Sequence, residues 1–103
     1  MFQPLDPLLQ NELRLAVMSI LVSVEKADFV YIKEKTGATA GNLSVQIDKL
    51  QKAGYIDVAK GFEGKKPRTV CHITDKGQES FIKYFNTLKS YFRPKGISVG
   101  EEP

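Results

Sequence analysis

Apolar residues recur early in this chain at intervals of three and four: Leu9, Leu13, Ala16, Val17, Ile20, Leu21 and Val24. That spacing predicts an amphipathic helix over residues 9–24 with a wide buried face, and Asn11 is a ready cap for a slightly later start. The stripe is broader than one small core requires, so part of it is expected to face a partner subunit. Ahead of it, Pro4 and Pro7 resist continuous helix, and residues 1–8 are expected to form an extended arm.

Residues 25–28 read as a polar connection ending in Asp28, an N-cap for a second helix over 29–36 with Phe29 and Ile32 inward. Gly37 follows where a left-handed residue closes a helix, and Thr39 is placed to cap a third helix over 40–53. Leu43, Ile47 and Leu50 form its core stripe, and Gly54 stops it. The pair 29–36 and 40–53, joined by a tight turn, has the pattern of a helix-turn-helix. The period then changes to two. Ile56 and Val58 share one face of a strand over 55–62, residues 63–67 (EGKKP) form a turn, and 68–73 return as a second strand. Thr74 caps a last helix carrying Phe81, Ile82, Phe85, Leu88 and Phe92, and residues 93–103 are expected to be a flexible tail. The order is α-α-α-β-β-α, an α+β chain that is mostly α.

Helical geometry of about 100° per residue sorts the third helix. With Leu43, Ile47 and Leu50 inward, Gly41, Val45, Asp48, Lys49 and Lys52 point away, and Asn42 and Ser44 lie on the flanks. Its first turns therefore present Ala40, Gly41, Asn42, Ser44 and Val45, all small or amide-bearing. Small residues let a helix sink into a major groove, where Asn pairs with adenine, Ser adapts, and Val or Ala touches a thymine methyl. Thr39 and the free amides beside it suit a phosphate, and Lys49 suits the DNA backbone. An ordinary capped helix with a polar outer face carries the same residue types. The next element tilts the balance: Lys65, Lys66 and Arg68 cluster at the hairpin turn, where each neutralised phosphate adds salt-dependent affinity. A solvated lysine-rich turn is the plainer reading of that loop.

Charge supports the same region. Fifteen Lys and Arg against twelve Asp and Glu give the chain a net charge of +3. Six basic and three acidic residues fall between positions 39 and 68, so this stretch carries the whole excess. A focused positive surface favours a polyanionic partner.

The stretches LDPLLQNELRLAVMSIL, TGATAGNLSVQIDKLQKAGYIDVAKGFEGKKPRT and ITDKGQESF resemble compact winged-helix regulators of the MarR/ArsR-like group. Together they cover most of residues 5–92. The resemblance implies a winged helix-turn-helix over 9–92 with a C-terminal dimerisation helix. It also implies a homodimeric DNA-binding transcriptional regulator on a pseudo-palindromic operator, most simply a repressor. In that group the helix matching 39–53 enters the major groove, and the wing matching 62–68 contacts the backbone or minor groove. The expected DNA contacts are Thr39, Ala40, Gly41, Asn42, Ser44, Val45, Lys49, Lys65, Lys66 and Arg68.

The terminal helices of such regulators build the dimer. In this chain Phe81, Phe85, Leu88 and Phe92 make one stripe of the last helix, and Tyr84, Leu88 and Tyr91 a neighbouring one, which is aromatic-rich for a small monomer. Pairing with a symmetry mate would cover the excess. With Leu13 and Val17 of the first helix, these residues are the expected interface.

Other classes find little support. Cys71 and His72 are neighbours on a strand and face opposite ways, so they make no thiolate–imidazole pair, and Cys71 is expected to be a buried apolar residue. The chain holds one Cys and one His, which excludes an internal disulfide and makes an ordinary zinc site improbable. Gly64-Lys65-Lys66 lacks the Walker spacing. No enzyme activity, cofactor or metal is expected, no apolar run is long enough to span a membrane, and the location is expected to be cytoplasmic. The rival reading is a winged-helix protein-interaction module that does not read DNA sequence. Operator, target genes, sign of regulation and any small-molecule effector are not written in the sequence.

Overall fold

The computed structural model describes residues 2–92. The tail expected over 93–103 lies outside the described residues. The order is a 3-10 turn (Pro7–Leu9), α1 (Glu12–Val24), β1 (Lys26–Asp28), α2 (Phe29–Thr36), α3 (Ala40–Lys52), β2 (Ile56–Glu63), β3 (Lys66–Ile73) and α4 (Asp75–Lys89). It is a winged-helix architecture of four α-helices and a three-stranded antiparallel sheet in the order β1-β3-β2.

Each helix begins where a side-chain oxygen accepts an otherwise unpaired backbone amide. Asn11 receives the Arg14 amide at 2.9 Å, Asp28 that of Tyr31 at 2.8 Å, Thr39 that of Asn42 at 3.1 Å, and Thr74 that of Gly77 at 3.0 Å. Gly37 closes α2 at φ 72°, which leaves only two residues before α3 and fixes the tight turn between them.

Three boundaries depart from the sequence expectations. The first helix starts at Glu12, because residues 7–9 form a separate turn capped by Asp6 and Leu9 drops into the core at zero exposure. The polar connection at 25–28 contains strand β1, paired with β3 through Lys26–His72, Ala27–Cys71 and Asp28–Val70. Three residues are too few to display a period of two, so this strand exists through its neighbour rather than its own pattern. Glu25, at φ 70°, turns the chain into it, and the Glu25 carbonyl accepts the Ile73 amide at 3.0 Å. The last helix ends at Lys89 rather than reaching Phe92, and single turns carry the chain onward from Ser90.

The hairpin is longer and tighter than expected. Its turn is Gly64-Lys65, with Gly64 at φ 64°, and Glu63 already pairs with Lys66. Pro67 sits inside β3 opposite Phe62. It is tolerated there because β1 reaches only to Val70, leaving that part of β3 without a second neighbour.

The core gathers Leu9, Val17, Met18, Leu21, Ile32, Leu43, Leu50, Ile56 and Cys71, all at zero exposure. It sits between α1, α2, α3 and the base of the sheet. α4 packs Phe81 and Tyr84 against it, and approaches most closely at Gly77, where a β-carbon would lie 2.1 Å from the Tyr55 carbonyl oxygen. No helix among the described residues is long and apolar enough to cross a membrane.

Candidate nucleic-acid interface

Thr39, Ala40, Gly41, Asn42, Ser44, Val45 and Lys49 are all exposed, on one side of α3, while Leu43, Ile47 and Leu50 are buried on the other. The outward display derived from the helical period is the one the fold adopts. Val45 keeps 51% of its surface, a large exposure for a β-branched apolar residue at the centre of a helix. Asp48 is engaged by Lys52 one turn on at 2.9 Å, an exposed i,i+4 pair of small energy that places a cation beside the carboxylate.

Beside α3 stands the hairpin. A groove of about 300 Å³ separates them, lined by Ser44, Asp48 and Gln51 from the helix and by Val58, Lys60 and Thr69 from the strands. At the hairpin turn Lys65 and Lys66 are exposed. Arg68 is placed differently from these lysines. Its guanidinium pairs with Asp28 at 3.3 Å and with Glu63 at 3.4 Å, tying the hairpin to the cap of α2. Two carboxylates offset its charge, so Arg68 braces the wing, while Lys65 and Lys66 form no ion pair among the described residues. Phe62, unremarked in the sequence, stands 75% exposed on the same hairpin.

Two residues absent from the sequence reading sit behind the exposed face. Gln46, only 8% exposed, lies among the apolar residues of α3. Its Oε1 accepts from Arg14 Nη1 at 2.5 Å, and its Nε2 donates to Asn42 Oδ1 at 3.1 Å. Arg14 also donates from Nε to the Leu8 carbonyl at 2.6 Å. A signal was present: on the helical wheel Gln46 falls beside Leu43 and Leu50, where an amide is buried and must find partners.

The proposed dimer residues divide. Phe85 is 54% exposed, Phe92 70% and Tyr91 37%, whereas Phe81, Tyr84 and Leu88 are half-buried. Tyr91 is already used within the chain: its ring lies 4.6 Å from that of Phe2, and its hydroxyl donates to the Gln3 carbonyl at 2.6 Å. Leu13 is half-buried against the core. Val17 has no exposed surface and is wholly consumed by the core of its own chain, so it offers nothing to a partner copy.

Cys71 is buried, and burial pushes its thiol up to about 11, which leaves it a neutral apolar residue at ordinary pH. His72 is half-buried rather than exposed. Tyr55 is also raised, first by burial and then by its hydrogen bond to Asp6. No group of His, Cys, Asp and Glu suited to a metal ion occurs among the described residues.

With a capped helix presenting small residues and a basic hairpin beside it, known proteins can be compared. Residues 13–92 match the family of the winged helix DNA-binding domain. The chain belongs to that family. Its winged-helix fold superposes on a transcriptional regulator homologue from Pyrococcus horikoshii with a TM-score of 0.78, at 34% identity over 84% of this chain and 85% of that one. An uncharacterized protein of Methanocaldococcus jannaschii is 32% identical over 71 residues, spanning 69% of this chain and 77% of that protein. The transcriptional regulator BldR from Sulfolobus solfataricus shares the fold at a TM-score of 0.66 and 18% identity, over 79% of this chain and 57% of that one. The resemblance to winged-helix transcriptional regulators read from the sequence stands on these matches. In the geometry of a winged helix, α3 is the second helix of the helix-turn-helix and the β2–β3 hairpin is the wing.

Proposed function

We propose that this winged-helix protein binds specific double-stranded DNA sequences as a homodimeric transcriptional regulator, acting as a repressor by occluding polymerase. The observation that carries the reading is the pairing of two neighbouring surfaces. One is the run of small exposed residues at the start of α3, and the other is the exposed lysine pair at the wing turn. A recognition helix with Ala40, Gly41, Asn42, Ser44 and Val45 outward fits a major groove, with Thr39 and Lys49 at its phosphates. The wing reaches the adjacent backbone or minor groove through Lys65 and Lys66, with Arg68 holding it in place.

Dimerisation is supported by α4, whose Ile82 and Phe85 are left 48% and 54% exposed by the chain's own core. A second copy packed on this face would set two recognition helices about one DNA turn apart, on the roughly 34–36 Å spacing such dimers use. Under this reading residues 9–92 form the DNA-binding and dimerising unit, residues 1–8 an N-terminal arm whose Phe2 and Gln3 meet Tyr91, and the protein works in the cytoplasm.

The test is fluorescence anisotropy with fragments of genomic DNA and random duplexes. Asn42→Ala is expected to weaken binding to preferred fragments more than to random DNA, and Lys66→Ala to weaken both. Equal losses from both changes would remove base reading by Asn42. A well-folded dimer with no affinity for DNA would instead make this a protein-interaction domain.

A further inference from the structure

We infer that Arg14 and Gln46 set the sequence preference of Asn42, by holding its side-chain amide so that it meets DNA as a hydrogen-bond donor. The inference rests on the DNA-reading function proposed above. Its basis is a chain of hydrogen bonds with only one consistent direction. Arginine carries donors and no acceptor, so the Gln46 atom 2.5 Å from Arg14 Nη1 must be the amide oxygen. Gln46 therefore turns its nitrogen toward Asn42, and the Asn42 atom 3.1 Å away must be its oxygen. Arg14 is itself fixed, because its Nε donates to the Leu8 carbonyl at 2.6 Å. Gln46 is nearly enclosed, so few waters compete for its own amide, whereas Asn42 is exposed.

The consequence lies in the geometry of the amide. Oxygen and nitrogen branch to opposite sides of Cγ, and drawing Oδ1 back to Gln46 leaves Nδ2 as the leading group. Among the described residues Nδ2 has no acceptor of its own. An asparagine that reads adenine in the usual bidentate way needs both ends of its amide, donating to N7 and accepting from N6. Asn42 Oδ1 has spent one of its two lone pairs on Gln46, and that bond biases the amide toward presenting Nδ2. Its preferred base positions are those rich in acceptors, namely guanine O6 and N7 or thymine O4, rather than the adenine pairing expected from the sequence alone. Arg14 and Gln46 are positioning residues: neither touches DNA in this scheme, and both act through the orientation of Asn42.

Gln46→Glu inverts the arrangement without removing it. Both carboxylate oxygens accept, so Arg14 keeps its partner and gains an ion pair, but Asn42 must now turn Nδ2 inward and present Oδ1 outward. The preference should move to bases that donate, adenine N6 or cytosine N4. The experiment is selection of bound duplexes from a randomised library by the full-length wild type and by Gln46→Glu. A change of preferred base at the position that loses discrimination in Asn42→Ala, by roughly 5- to 150-fold, supports the inference. Selection of the same sequences by both proteins overturns it and leaves the DNA-reading function intact. Failure of the wild type to enrich any sequence overturns that function and the inference with it. Side-chain amide exchange in the wild type without DNA gives a check that does not depend on the variant folding. The Gln46 amide protons should exchange more slowly than those of Asn42, and the reverse order would overturn the inference.

Discussion

Helices α1 and α4 are both rich in apolar residues, and the fold spends them in opposite directions. α1 sends Val17, Met18 and Leu21 to zero exposure against α2, α3 and the sheet. α4 buries one residue completely, Gly77, and leaves Ile82 and Phe85 about half exposed. Position in the chain accounts for the difference. α1 is in contact with α2, α3, α4 and the sheet, while α4 packs on α1 and the core through one side that includes Phe81 and Tyr84. A stripe of apolar residues therefore marks a face that must be covered but does not say by what. In α1 the cover is the same chain, and in α4 the proposed cover is a second one.

Changes to the two helices should separate accordingly. The largest effect is expected from Leu21→Ala, a cavity under α1 costing about 2–5 kcal/mol, read as a lower urea midpoint. A loss under 1 kcal/mol would mean that α1 is not the centre of the core. Gly77→Ala comes next. It probes the closest approach of α4 to the body, and the added carbon meets the Tyr55 carbonyl, so a cost of roughly 1–3 kcal/mol is expected from overpacking. Phe85→Ala should behave in the opposite manner. Stability of the isolated subunit is expected to change little, while self-association weakens by about 2 kcal/mol, or some thirtyfold, in sedimentation. Unaltered association would move the dimer surface off this part of α4.

The smallest effect concerns Cys71, at the α1 side of the sheet. Its folded pKa is raised from 9.0 to about 11, so the folded protein holds the thiol proton more tightly than the unfolded chain does. The stabilisation this represents is complete below the unfolded value and is lost as pH rises from about 9 through about 11. Unfolding curves should show a steeper decline over that window for the wild type than for Cys71→Ala, with the raised Tyr55 contributing the same sense in both. Identical slopes would mean that the thiol is not sequestered.

Much of this was legible in the residues. The caps Asp28, Thr39 and Thr74, the stop at Gly37 and the stripe Leu43, Ile47, Leu50 are local signals, each set by its own backbone and neighbours. They placed α2, α3 and the outward residues of α3 correctly. What escaped depends on partners distant in sequence. Strand β1 is three residues with no pattern of their own, made by β3. The burial of Val17 follows from how many elements converge on α1. The bracing of Arg68 needs Asp28, forty positions away, and the orientation of Asn42 needs Arg14 acting through Gln46. Periodicity shows which residues face outward, but not which of those are already engaged.

That distinction is what a binding experiment weighs. The most direct one titrates the full-length protein against genomic and random duplexes by fluorescence anisotropy over a series of salt concentrations. Affinity should fall steeply with salt, as Lys65, Lys66 and Lys49 displace counterions, and particular genomic fragments should be preferred. Negligible binding by a folded protein at low salt, or binding indifferent to both salt and sequence, would contradict the proposed function.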